Sequence, residues 1–449
     1  MSSRSLLILS LSCFVLLATS ACKTNNTNQP SPAKEEVVEK PTQDKTPVEK
    51  TRPPDISPAL LQARGGLESA LVVASKASAE RAAELAKPMA PFEILQAEKS
   101  ERGERDLVLV AVGDVSQPTK QWREATEGLG TKAFAPTQRY LDSGDLVFMN
   151  LENPISELEP SAKKTYAFTS PPHRLGWYFD VGFNLFSLSN NHIADADQAG
   201  IDDTLSHLEA ERERRGVQAW WAGAGASYDE AEGVTWVQPE GKDLKIAYFS
   251  TGFSKGANVS KFWSESLVKR ISEADKQADL VVVSVHAGKE YQHVPKENLA
   301  KIYRGWIDAG ADLVIGHHPH VIRPVEVYKQ GLILHSLGNY VFASRTVRYR
   351  KSGAKMYGLV ARVVIQDGRV AALELVPTWV NNSSGWSLPD GEKMPNANFA
   401  PLPLEGPFAD VFFEDFATWT TETGGTQVTR EGDVGRIELP APEKAERAQ

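Results

Sequence analysis

The sequence predicts an α/β protein. Short apolar runs recur from Leu107 to Leu334, and many end in a polar or glycine-containing turn. Stretches of helical periodicity lie between several of them. Histidines, acids and asparagines collect directly after the runs, where open α/β sheets place their ligand loops. The 449 residues are 41% hydrophobic and 24% charged, enough apolar content for a large core, so disorder throughout is excluded. Lys+Arg 49 against Asp+Glu 58 gives a net charge of −9, which argues against nucleic acid, a partner that needs a concentrated basic face.

The elements follow in chain order. Arg4 gives a positive start, and residues 6–18 are almost wholly apolar or small, short for a membrane span and fitting a signal-peptide core. Thr19-Ser20-Ala21-Cys22 resembles a bacterial lipoprotein box, in which cleavage precedes the cysteine and its thiol carries a diacylglycerol. An ordinary secretory signal with a chance cysteine is the alternative. Both cysteines, Cys13 and Cys22, fall in this stretch, so no disulfide framework can form in the rest of the chain. Residues 1–21 are thus expected as a signal peptide and 22–56 as a lipidated flexible tether, its composition too polar to bury. Residues 57–100 form a helical appendage or spacer. The expected location is the bacterial cell envelope, lipid-anchored, at the outer membrane or periplasmic face in a Gram-negative cell.

Strands are expected at 107–112, 146–149, 185–188, 246–249, 280–285, 313–315 and 332–334, runs apolar enough to be covered on both faces. Helices are expected at 201–214, 262–277 and 296–309. Gln366-Asp367-Gly368 between 358–364 and 369–375 reads as a hairpin turn, which adds an antiparallel portion to the sheet. The α/β domain spans 106–376. A C-terminal extension packed on it spans 377–440, and a disordered tail spans 441–449.

Six of the nine histidines sit in four clusters after apolar runs: His192; His286; His317, His318 and His320; His335. Asp114, Asn150, Glu152 and Asn191 occupy similar strand exits. This composition suits a divalent metal such as Zn, Mn or Fe. Each cluster also has a bland reading. Gly113-Asp114 reads equally as a turn, Asn150 and Glu152 as an exposed loop, Asn190-Asn191-His192 as a turn, and His286 to Glu290 as a helix entry. Three histidines within Gly316-His317-His318-Pro319-His320 are harder to dismiss. His207 is assigned to a helix face; His173 and His293 fall outside the pattern.

The motifs Gly113-Asp114-Val115, Asn150-Leu151-Glu152, Asn190-Asn191-His192, His286-Ala287-Gly288-Lys289-Glu290-Tyr291, Gly316 to Val321 and Ser336-Leu337-Gly338-Asn339-Tyr340 occur in that order. Together with Asp195, Gly200, Thr204, Leu205 and Gly223-Ala224-Gly225 they resemble the CapA/PgsA family of poly-γ-glutamate capsule proteins, over about residues 106–376. That family looks like a branch of the calcineurin-like metallophosphoesterases. The resemblance implies a four-layer αββα sandwich and one or two divalent metal ions. It implies Asp114 and His320 on a first metal, Glu152 bridging, and Asn191, His286 and His318 on a second. It implies His192 as proton donor, Glu290 lining the pocket, and Asn150, His317, Asn339 and Arg345 in contact with substrate, Asn339 also orienting a ligand. Two departures stand out. Ser116 occupies the place of the histidine in the superfamily's first Asp-x-His, and Glu152 that of an aspartate; His317 is a candidate to fill the first gap.

The activity so implied is a metal-dependent hydrolase or transferase acting on an anionic polymer or cell-envelope component such as poly-γ-glutamate. The alternatives are a non-catalytic polymer-binding or export subunit working with capsule synthesis or export proteins, and a periplasmic phosphoesterase. An acidic protein needs local cations to hold a polyanion, and Lys289, Arg304, Arg323, Arg345, Arg348 and Arg350 are the candidates, with a solvated loop the equal reading of 345–351. Trp177-Tyr178-Phe179, Trp220-Trp221, Trp263 and Trp306 are read mainly as core, with some free to stack on polymer.

Overall fold

In the computed structural model, residues 99, 101–118, 130–342, 351–380 and 400–440 are described. The expected signal peptide, tether and tail, nearly all of the appendage, and Arg345, Arg348 and Arg350 lie outside them.

Two mixed sheets carry the fold. The first is built on β1 (Leu107–Ser116), every residue of which is buried. On one side β2 (Leu146–Leu151), β3 (Leu185–Ser187) and β4 (Trp220–Ala222) continue it in parallel. The second sheet runs β5 (Thr235–Val237), β6 (Ile246–Gly252), β7 (Leu280–His286), β8 (Leu313–His317), β10 (Gly331–Leu337), β9 (Ile322–Tyr328). The first sheet is completed on its other side by β12 (Tyr357–Gln366), β13 (Arg369–Val380), β16 (Val434–Glu438) and β15 (Thr429–Glu431), all antiparallel. Two short strands join it, β11 (Asn339–Phe342) beside the end of β1 and β14 (Pro401–Pro403) beside β13.

Side chains alternate across a strand with period two, and this chain uses both faces. Leu107, Leu109 and Ala111 of β1 share one core with Leu280 and Val282 of β7 and Leu313 and Ile315 of β8, so the sheets pack face to face. Val108, Val110 and Val112 point the other way, onto Leu175 and Tyr178 of α1 (His173–Asp180) and Ile201 and Leu208 of α2 (Asp197–Arg215). On the far side Val281, Val283 and Val285 meet Leu267 and Ile271 of α3 (Glu265–Asp275) and Tyr303 and Trp306 of α4 (Glu297–Asp308). The order is helix, sheet, sheet, helix.

The expected strands and the three helices stand at their sequence positions, with ends shifted by a few residues. The Asp367-Gly368 hairpin is there too: both residues take positive φ, 49° and 72°, as a tight two-residue turn needs. The extension is not a separate layer. β13 runs through 376/377, β16 pairs with it, and α5 (Pro407–Thr423) sends Val411, Phe412 and Phe416 into the core between the sheets. Its apolar residues complete a sheet that residues 106–376 leave with a bare edge. Trp306, Tyr178 and Phe179 are core, Trp220 and Trp221 half-buried, and Trp263 is exposed. Among the described residues no helix is long and apolar enough to cross a membrane.

Candidate metal centre

Parallel strands end at a common edge, and register brings the polar residues together there. Asp114 pairs with Asn150 on β2 and with Asn339 on β11, while His286 pairs with His317. The approach of β11 to β1 depends on Gly113, where a Cβ would lie 2.2 Å from the Gly338 carbonyl oxygen. The Asp114 N–H donates to that same oxygen at 2.9 Å.

Asp114, Glu152 and His320 are buried and offer one ligand atom each, all within 4.8 Å of one another. His320 Nδ1 lies 3.3 Å from Asp114 Oδ2 and 2.9 Å from Asn339 Oδ1, while its Nε2 lies 3.7 Å from Glu152 Oε1. Glu152 is fully buried, and neither of its carboxylate oxygens has a hydrogen-bond partner among the described residues. A bare carboxylate in such a place is costly, and two carboxylates with an imidazole form a donor set for a divalent cation. Burial and the adjacent Asp114 hold the Glu152 pKa well above the usual carboxylate range. Burial pushes Asp114 the same way, but the His320 hydrogen bond and the imidazoles of His286 and His317 outweigh it and hold its pKa low. Burial opposes protonation of His320, yet Asp114 raises its pKa.

A second group adjoins the first. His286 Nε2 lies 2.8 Å from Asn191 Oδ1, 3.1 Å from His318 Nδ1 and 3.8 Å from Glu152 Oε1. Burial and His318 push His286 well below the ordinary imidazole value, and burial with His320 pushes His318 to about 4. Both are therefore neutral near pH 7, the form that binds metal. Asn150 Nδ2 bridges Asp114 Oδ1 at 2.8 Å and His286 Nδ1 at 3.1 Å, and so ties the two groups together. His318 and His320 both have positive φ, 93° and 58°, a strained backbone held at the centre.

His192 stands beside these groups. Its Nδ1 lies 2.8 Å from Asp195 Oδ2, and Asp195 Oδ1 takes Lys164 Nζ at 2.5 Å. Lys164 also donates to the Asn191 carbonyl at 2.6 Å. Burial lowers the His192 pKa against the pull of Asp195. Glu290 is half-buried, and its charge acts on Glu152, His318 and His320.

Some residues take other places. His317 turns its Nε2 to the Val112 carbonyl at 3.1 Å and packs on Phe148, so its ring ties the sheets together behind the centre rather than facing substrate or filling the gap at Ser116. Ser116 donates to Asn153 Oδ1 at 2.8 Å. Asn339 holds His320. His335 lies within β10, 3.1 Å from Glu326, away from the ligands. Two cations proposed for a polyanion are committed elsewhere. Arg304 pairs with Glu326 and Glu297, and Arg323 is buried with bonds to the Lys289 and Gln292 carbonyls. Lys164 was not singled out from sequence, and Asn190 only as part of the Asn190-Asn191-His192 motif. Asn190 Oδ1 accepts from the N–H groups of His192 and Ile193 and so shapes the loop. The only sequence trace of Lys164 is the Lys163-Lys164 pair, which reads as a solvated loop.

A family model described as bacterial capsule synthesis protein PGA_cap matches residues 108–344. The chain belongs to this family. It is 30% identical over 300 residues to a capsule biosynthesis protein CapA of Bacillus anthracis, covering 63% of this chain and 70% of the relative. It is 31% identical over 259 residues to a PGA biosynthesis protein CapA of Bacillus subtilis, covering 55% of this chain and 66% of the relative. The chain thus spans about two thirds of the length of these two relatives. A solved phosphatase structure from Mycoplasma pneumoniae overlaps 61% of this chain and 86% of its own at 14% identity and a TM-score of 0.36.

Proposed function

We propose that this capsule synthesis family member is a metal-dependent hydrolase or transferase of an anionic capsule polymer such as poly-γ-glutamate. The observation that carries the reading is the Glu152 carboxylate, fully buried, unpartnered among the described residues, and set between two groups of ligand atoms. Asp114, Glu152 and His320 would hold one divalent ion, and Asn191, His286 and His318 a second. Bound there, the ions would supply an activated water and offset charge on the reacting group. Asn150 and Asn339 fix the orientation of the ligands. His192, held at Nδ1 by Asp195, would take a proton from the attacking water at Nε2 and pass it to the leaving atom. The B. subtilis relative's name, a PGA biosynthesis protein, supports a glutamate polymer as substrate.

Elemental analysis of the purified chain tests the reading. One or two equivalents of Zn, Mn or Fe in wild type, lost in Glu152→Ala and His318→Ala, together with shortening of poly-γ-glutamate, are expected. Wild type that takes up no metal on reconstitution overturns it. One observation favours a non-catalytic polymer-binding or export subunit: with Ser116 bonded to Asn153, β1 offers Asp114 as its only ligand. Metal uptake without polymer turnover would decide for that role. The reading also places the chain on the bacterial envelope through a lipid on Cys22. Cys22→Ser should release it from membrane fractions; unchanged membrane association refutes the anchor.

A further inference from the structure

Three aromatic side chains are strongly exposed among the described residues: Tyr166 at 44%, Phe253 at 48% and Trp263 at 53%. A single exposed ring needs no explanation. Each of these three stands on a segment that touches the centre. Phe253 follows β6, and its N–H donates to the carbonyl of His286 at 2.8 Å. Its ring meets Trp263 edge to face at 5.9 Å, and Trp263 is seated on Phe262 at 4.9 Å. The same loop touches the His192 loop, since a Cβ on Gly256 would lie 3.0 Å from that of Ala194. Tyr166 packs on Phe168 at 6.3 Å, Phe168 packs on the His192 ring at 5.2 Å, and the Phe168 N–H donates to Asp195. The exposed rings therefore stand on segments bonded directly to the centre's own residues. Each of these segments, and the loop after His286, also carries an exposed lysine: Lys163, Lys255 and Lys289.

We propose that Tyr166, Phe253 and Trp263 form a rim that holds an extended anionic polyamide against the metal centre, with Lys163, Lys255 and Lys289 facing its carboxylates. The inference rests on the polymer reading above and adds the surface on which the chain is held. Aromatic faces suit flat amide units and methylene segments, and flexible lysines suit carboxylates repeated along a chain.

Anisotropy of fluorescein-labelled poly-γ-glutamate titrated with the full-length protein tests it. Trp263→Ala and Phe253→Ala should each weaken binding about three- to tenfold, and the double variant more, with bound metal retained. Val217→Ala, at a site 46% exposed and outside these segments, should bind as wild type does. If wild type binds and the aromatic variants bind equally well, the rim is wrong and the polymer reading stands. If wild type does not bind, both fall. Equal affinity for polygalacturonate, an anionic polysaccharide, overturns the assignment to a polyamide.

Discussion

Replacing Glu152 with Gln should stabilise the metal-free protein and destabilise the metal-loaded one. Without metal, the carboxylate is buried beside Asp114 with two unpartnered oxygens. A buried unsatisfied polar group costs about 1–3 kcal/mol, more when charged, and Gln removes the charge while keeping the shape. In a domain of this size that is roughly 2–6 °C in melting temperature, at about 2 °C per kcal/mol. With metal at about 1,000 times Kd, wild type gains about 4.1 kcal/mol, more than the advantage of Gln, and the variant loses that gain with its ligand. The order of the two melting curves therefore inverts. The pH dependence has a definite sign. The folded pKa of Glu152 is raised above its ordinary value of 4.5, so the folded state holds the proton more tightly. Its contribution is fully present below that value and is lost as pH rises through the folded pKa. The advantage of Gln in metal-free protein should be absent near pH 4 and grow with pH. Differential scanning calorimetry of both proteins, in chelator and in added Zn or Mn across pH 4–8, gives the four curves. A metal-free variant that melts below wild type at pH 8 would refute the claim that this carboxylate is held against its own electrostatics.

Asp195→Asn keeps the shape beside His192 but weakens its hold on the proton-bearing tautomer, so turnover should fall about a hundredfold with metal content unchanged; steady-state kinetics with elemental analysis checks this. Gly113→Ala should cost at least about 3 kcal/mol, because its Cβ would meet the Gly338 carbonyl, and denaturant melts of the variant should show it. Trp419→Ala removes the ring stacked at 3.6 Å on His293, whose Nδ1 meets the Ile322 carbonyl just after the His318 to His320 turn. Metal affinity by calorimetry should weaken, and Trp419→Phe should restore it; equal weakening in both variants would tell against stacking as the cause.

Much of the fold was legible because its central strands are buried on both faces, and such runs stand out without any periodicity. β4, β5, β9, β11, β14, β15 and β16 did not stand out: four of them are three residues each, and β9 sets Arg323 and Glu326 among its apolar residues around Pro324. The ligand residues were legible as types after strands. Their directions were not. In the His317-His318-Pro319-His320 turn, left-handed backbone at His318 and His320 sends those rings to the centre while His317 faces the Val112 carbonyl. Nothing in a row of histidines announces that choice. Lys164 was hidden for a different reason. Its role depends on a loop folding back over Asn191 and Asp195, 27 and 31 residues further on, and composition carries no trace of such a contact.

Ser116 and Glu152, read together, explain how the proposed centre draws on β1 and β2. Ser116 is engaged by Asn153, so β1 supplies Asp114 alone to the proposed first group. Glu152 is longer than aspartate by one methylene, and its Oε1 stands almost equally far from the two histidines, 3.7 Å from His320 and 3.8 Å from His286. An oxygen so placed can serve either group. A shorter carboxylate on the same backbone would draw back toward β2 and leave the first group with Asp114 and His320. The longer side chain is thus what lets one carboxylate reach both proposed groups.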